Sequence, residues 1–258
     1  MPLTDVNQQR EGTLQNKRAN ALGAIRAGHV SRLIILLTAL LACAAIAIHA
    51  PGQMSMDSSI QLYEAYTGQS VSWSPPFMSA LLHWLGGGEL STAMFVLINA
   101  VLLYGAFAAV ALTMLQIRAA CGFDEIATWR VVLAFLLIMN PIIFIYAGIV
   151  WKDVLFASLL TAACACAIAA TVGSSLRRYS CIGLSIVLLG AGYQARQQGV
   201  FMAPVLLLSP ILAYYSFKPS RKLLAAAVIV VLFVGVVWGI QHQVNSTIKG
   251  ADDRASSV

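Results

Sequence analysis

Asp57, Lys152, Asp153 and Arg196 are the charged residues of this sequence that lie beside long apolar runs and away from its main basic groups. Asp57 stands in Gln53-Met54-Ser55-Met56-Asp57-Ser58-Ser59, directly after the first apolar run. A carboxylate there is either a helix N-terminal partner of the backbone or a general base, whose work needs an oxygen held near an acceptor hydroxyl. Lys152 and Asp153 open a later run, after Trp151. Asp153 suits a helix start, whereas a cation there opposes the dipole. Lys152 therefore points to an anionic partner, or else snorkels towards water. Arg196 heads a polar break, Arg196-Gln197-Gln198-Gly199, between two apolar runs. A guanidinium grips phosphate through two parallel donors that an ammonium cannot reproduce; its plainer role is to snorkel at a helix end. Gln197, Tyr146 and His83 are further groups able to contact a substrate, His83 also reading as an acid, a base or an ordinary interfacial residue. Glu64 reads as a solvated interfacial residue.

The elements that must position these groups follow from composition. Of 258 residues, 59% are hydrophobic and 10% charged, with a mean hydropathy of +0.81. A soluble domain carries about 25% charged residues, and a disordered chain needs low hydrophobicity with high net charge. Neither description fits, which leaves an all-α integral membrane protein. Seven apolar runs read as spanning helices: Leu33–Ala50, Leu90–Ile117, Val131–Val150, Val154–Val172, Cys181–Gln194, Val200–Phe217 and Leu223–Ile240. A cleaved signal peptide competes for the first, but its basic leader is far longer than an ordinary n-region. The chain thus divides into a basic segment 1–32, a membrane domain 33–240 and a short polar tail 241–258.

Charge sets the orientation. With the N-terminus in the cytoplasm, Arg10, Lys17, Arg18, Arg26, Arg32, Arg118, Arg130, Arg177, Arg178, Lys218, Arg221 and Lys222 fall inside, and only Lys152, Arg196, Lys249 and Arg254 outside. This matches the positive-inside rule and puts the C-terminus outside. Trp73, Trp84, Trp151 and Trp238 reach the outer interface, where indoles are favoured. The net charge of +6 is therefore topological, and no basic face is left for nucleic acid. Cys164 and Cys166, two apart, face different directions on a helix, so neither a zinc site nor a disulfide is expected, and no other cofactor or metal.

One connector is too long to be only a connector. Residues 51–89 open with Pro51-Gly52, a turn. Ser58 and Gln61 have capping-box spacing, Ile60, Tyr63 and Tyr66 recur at helical intervals, and Gly68 stops the segment. A second helix starts at Ser74-Pro75-Pro76, carries Phe77, Leu81 and Trp84 on one face, and ends at Gly86-Gly87-Gly88. Both read as short amphipathic helices lying at the outer interface. Asn140-Pro141 should kink the third span. One carboxylate and two cations, from three distant regions, thus share the outer face beside this loop. That set suits a lipid phosphate, with its tail in the bilayer and its anion at the interface.

These residues resemble a family. Pro51-Gly52-Gln53-Met54-Ser55-Met56-Asp57-Ser58-Ser59-Ile60-Gln61 followed by Ser74-Pro75-Pro76 looks like the first outer loop of bacterial GT-C-type membrane glycosyltransferases. Asn140-Pro141, Trp151-Lys152-Asp153 and Arg196-Gln197-Gln198-Gly199 are similar to later landmarks of that superfamily. The resemblance covers residues 33 to 215 and implies a polyprenyl-phosphate-linked sugar as donor, a glycan or lipid as acceptor, and an inner-membrane location. It implies a seven-helix module with two interfacial helices, Asp57 as the catalytic carboxylate, and Arg196 and Lys152 as donor-phosphate contacts. Many members carry a paired acidic motif where this chain has Ser55-Met56-Asp57, which argues against a divalent metal. Many also continue into further spans or an outer domain. A flippase or transporter subunit, or a membrane scaffold, is the rival reading; transporters tend to show internal repeats and midplane charges, and no clear repeat is visible.

Overall fold

The structure is a computed structural model that describes residues 28–121, 133, 140–218 and 222–250. Among these residues the regular structure is helical apart from a pair of two-residue strands and one isolated bridge. The helices are α1 (Gly28–His49), α2 (Met56–Thr67), α3 (Phe77–Trp84), α4 (Glu89–Ala120), α5 (Pro141–Ala147), α6 (Lys152–Ala169), α7 (Ser175–Ala195), α8 (Gly199–Leu206), α9 (Leu208–Phe217) and α10 (Lys222–Thr247). The strands are β1 (Gln53–Met54) and β2 (Ile149–Val150).

Five stretches are long and apolar enough to cross a membrane among the described residues: α1, α4, α6, the broken rod Gly199–Phe217 formed by α8 and α9, and α10. Helix α7 spans 21 residues but opens on Arg177-Arg178, closes on Tyr193-Gln194, and is not among the five. It is nevertheless the middle of the bundle, packed against α6 on one side and α10 on the other. Small residues allow this close approach, as they do between membrane helices generally. Gly192 lies against Leu160 and Gly190 against Val236, at distances where an added Cβ would come within 2.8 and 2.6 Å of those side chains. Ser185 Oγ donates to Ala163 O at 2.8 Å, and Gln194 Nε2 to Val237 O at 3.1 Å.

Of the predicted third span, 131–150, residues 131–132 and 134–139 lie outside the described residues. Its described part is not a continuous helix. Asn140 caps α5 by accepting from Ile142 N at 2.9 Å, and Pro141 takes the first turn. The proline expected to kink a helix instead begins one, where its missing N–H is no loss. Past α5 the chain is extended and pairs in parallel with β1, Gln53 opposite Ile149 and Met54 opposite Val150. Gly52 makes this approach possible: its φ is +116°, and a Cβ would stand 2.5 Å from Val150 Cγ2.

Of the two helices of loop 51–89 expected to lie at the interface, the second is packed inside instead. Helix α3 is a plug. Phe77, Met78, Ala80 and Leu82 are buried in one cluster with Phe95 and Val96 of α4, Leu155 and Leu159 of α6, and Val244 and Ile248 at the end of α10. Helix α2 has its apolar side outward. Met56, Tyr63 and Tyr66 are exposed, while Ser58, Gln61, Glu64 and Ala65 are buried. The loop is closed against the far end of the chain: Lys249 N donates to Gly68 O at 2.8 Å, Ser70 N to Lys249 O at 3.0 Å, and Trp84 Nε1 to Thr247 Oγ1 at 3.0 Å.

Candidate functional site

The four charges singled out by sequence meet at the start of α6. Asp57 lies in the first turn of α2, whose N-cap is Ser55; its side chain accepts from Ser58 N at 3.2 Å. The cap is thus one turn earlier than the Ser58–Gln61 spacing predicts. The Ser58 hydroxyl is used elsewhere, donating to Val150 O of β2. That bond and the β1–β2 pairing hold the start of α2 beside the β2–α6 junction. There Trp151 is extended and Lys152 is the first helical residue.

Lys152 Nζ lies 3.5 Å from Asp57 Oδ2 and donates to Ser74 Oγ at 2.7 Å. The next residue, Asp153, lies 3.0 Å from Arg196 Nε through Oδ1. This second contact has the distance of a hydrogen bond but not its alignment, so it is a charge pair. Lys152 is 17% exposed and Asp153 22%, whereas Asp57 is 58% exposed and Arg196 37%. The arrangement is therefore a covered ammonium flanked by an accessible carboxylate, with an accessible guanidinium on the adjoining pair. Two cations and two carboxylates leave the set locally neutral. An anion binding here must compete with Asp57 for Lys152 and with Asp153 for Arg196.

Ser74 reaches Lys152 because of Glu64. This carboxylate is fully buried, against the expectation of a solvated residue. It accepts from Val71 N at 2.7 Å, Ser72 N at 2.6 Å and Ser79 Oγ at 2.5 Å. Three donors satisfy this buried carboxylate, which makes no ion pair among the described residues, and they fix the segment that presents Ser74. Ser74 itself does not cap α3, whose N-cap is Pro76.

No family model, curated protein or solved structure matches this chain. The site rests on its own geometry.

The remaining predicted contacts divide. Gln197 is exposed in the turn that follows Arg196. Tyr146 is exposed on α5. His83 Nδ1 lies 2.6 Å from Ala65 O and links α3 to α2. Among the described residues, the ion pairs and side-chain hydrogen bonds of the charge set include none of these three. Sequence reasoning missed Glu64 and the partner of Ser74. The sequence does show that Ser58, Gln61 and Glu64 share one face of α2, opposite Met56, Tyr63 and Tyr66, but not that this face turns inward.

Proposed function

We propose that the chain is a membrane glycosyltransferase that moves a sugar from a polyprenyl-phosphate donor to an acceptor hydroxyl at the outer face. The observation that carries this reading is the accessible Asp57 carboxylate held 3.5 Å from Lys152, itself adjacent to the Asp153–Arg196 pair. Supporting it, the outward face of α2 is apolar and aromatic, as a helix lying at a lipid interface requires. In this reading the chain crosses seven times from a cytoplasmic N-terminus, and the site lies at the outer end, opposite Arg118, Arg177, Arg178, Lys218 and Lys222.

In the proposed reaction Asp57 takes the proton of the acceptor hydroxyl. The oxygen forms a bond to the anomeric carbon as the bond from that carbon to the phosphate oxygen breaks. The phosphate leaves with the bonding pair and is stabilised by Lys152 and Arg196, whose charges act in a poorly hydrated site. A single displacement inverts the anomeric centre. The neutral pairing of both cations favours one other reading, a clamp in a non-enzymatic scaffold or flippase subunit.

The test is transfer from polyprenyl-phosphate sugars by protein in liposomes, wild type against Asp57→Asn. Loss of a general base lowers the rate by about 10²–10⁴-fold, with donor binding retained. Full activity in Asp57→Asn refutes the base. A wild-type protein that binds no lipid phosphate refutes the enzyme and leaves the clamp.

A further inference from the structure

Among the described residues, the inward face of α2 carries one polar side chain that makes no hydrogen bond. Ser58 is anchored on β2 through Val150 O, and Glu64 on α3 through Ser79 Oγ. Gln61 stands between them on the same face, three residues from each. It is 1% exposed, and among the described residues neither its Oε1 nor its Nε2 has a hydrogen-bond partner. A buried amide with donor and acceptor both unmade costs its full desolvation. A methionine would occupy the position without that cost, so the amide's presence calls for a partner.

Two facts place that partner at the reaction site. Gln61 follows Asp57 by four residues, which sets it one helical turn along from the carboxylate. Lys152, bound to both Asp57 and Ser74, ties the start of α2 to the segment leading into α3. Gln61 therefore lies on the side of α2 that this tie closes. An anion that draws Lys152 away from Asp57 releases the tie.

We propose that Gln61 reads the acceptor, by binding a hydroxyl pair next to the hydroxyl that Asp57 deprotonates. A carboxamide offers one acceptor and one donor side by side, the complement of a vicinal diol that donates from one oxygen and accepts at the other. The acceptor is then a sugar ring and not a lone alcohol of a lipid. This rests on the glycosyl-transfer reading and narrows it. Sites built to hydrogen-bond a substrate hydroxyl discriminate strongly against analogues lacking it.

The experiment compares transfer from polyprenyl-phosphate glucose to methyl glucopyranoside and to 1-propanol, by wild type and Gln61→Met, with thermal unfolding of both proteins. Wild type should favour the glucoside by at least about tenfold in kcat/KM. Gln61→Met should lose that preference through a raised KM for the glucoside and unfold no earlier than wild type. Equal use of both acceptors by wild type overturns the inference while the transferase stands. So does a Gln61→Met protein that keeps its KM for the glucoside. Transfer to neither acceptor, with lipid phosphate unbound, overturns the transferase and the inference together.

Discussion

Removing the Glu64 side chain should release the first loop. The carboxylate accepts three hydrogen bonds, at 2.7, 2.6 and 2.5 Å, from Val71 N, Ser72 N and Ser79 Oγ. Hydrogen bonds to a charged group contribute about 1.5–3 kcal/mol each, or roughly 4.5–9 kcal/mol together. Against this stands the desolvation of the carboxylate, which costs several kcal/mol. In Glu64→Ala the donors are not equally stranded. Val71 is 48% exposed, so the loop N–H groups regain water when the segment relaxes, whereas Ser79 is fully buried. The expected net loss is about 2–4 kcal/mol, a fall in unfolding midpoint of about 4–16 °C. Glu64→Gln keeps an acceptor for the two N–H groups and can donate to Ser79 Oγ, so it should lose only about 1 kcal/mol. The assay is thermal unfolding in lipid nanodiscs followed by tryptophan fluorescence, paired with limited proteolysis of residues 69–76. A Glu64→Ala protein that unfolds with wild type, its loop still protected, would falsify the claim that this carboxylate holds the loop.

Two other substitutions separate packing from chemistry. Gly148 lies directly against the His49 ring, so Gly148→Ala must displace the imidazole or β2; a loss of about 1–3 kcal/mol is expected, and an unchanged unfolding midpoint would refute that contact. Arg196→Lys keeps the charge of a pair whose members are 37% and 22% exposed, so stability should move by less than about 1 kcal/mol. Donor binding should weaken because the guanidinium fork is gone; equal affinity for polyprenyl phosphate would remove Arg196 from the phosphate site.

What was legible in the sequence depended on how local its cause is. Apolar length and hydropathy are properties of one segment, and α1, α4, α6 and α10 were readable from them. Gly68 ends α2 with φ +69°, as a glycine stop should. The charges of the site could be singled out because each stood against its surroundings. The burial of Glu64 could not, since α2 has a polar face and an apolar face and either can turn inward. Ser79 and Val150, which decide the matter, lie 15 and 92 residues from their partners Glu64 and Ser58. Helix α3 misled for a related reason. Its apolar face suits lipid and core equally, and only the ends of α6 and α10 show which one receives it. Asn140-Pro141 carries the same local chemistry at a kink as at a helix start.

The closure of loop 51–89 also bears on the order of synthesis. Trp84 bonds to Thr247 across 163 residues, and Gly68 and Ser70 bond to Lys249. At about 5–20 residues per second, the ribosome needs roughly 8–30 s to make that stretch. Through this interval Trp84 and the backbone of Gly68 and Ser70 wait without these partners. The lock on the first loop is therefore among the last contacts to form, and a ribosome stalled before codon 247 leaves the loop unsealed.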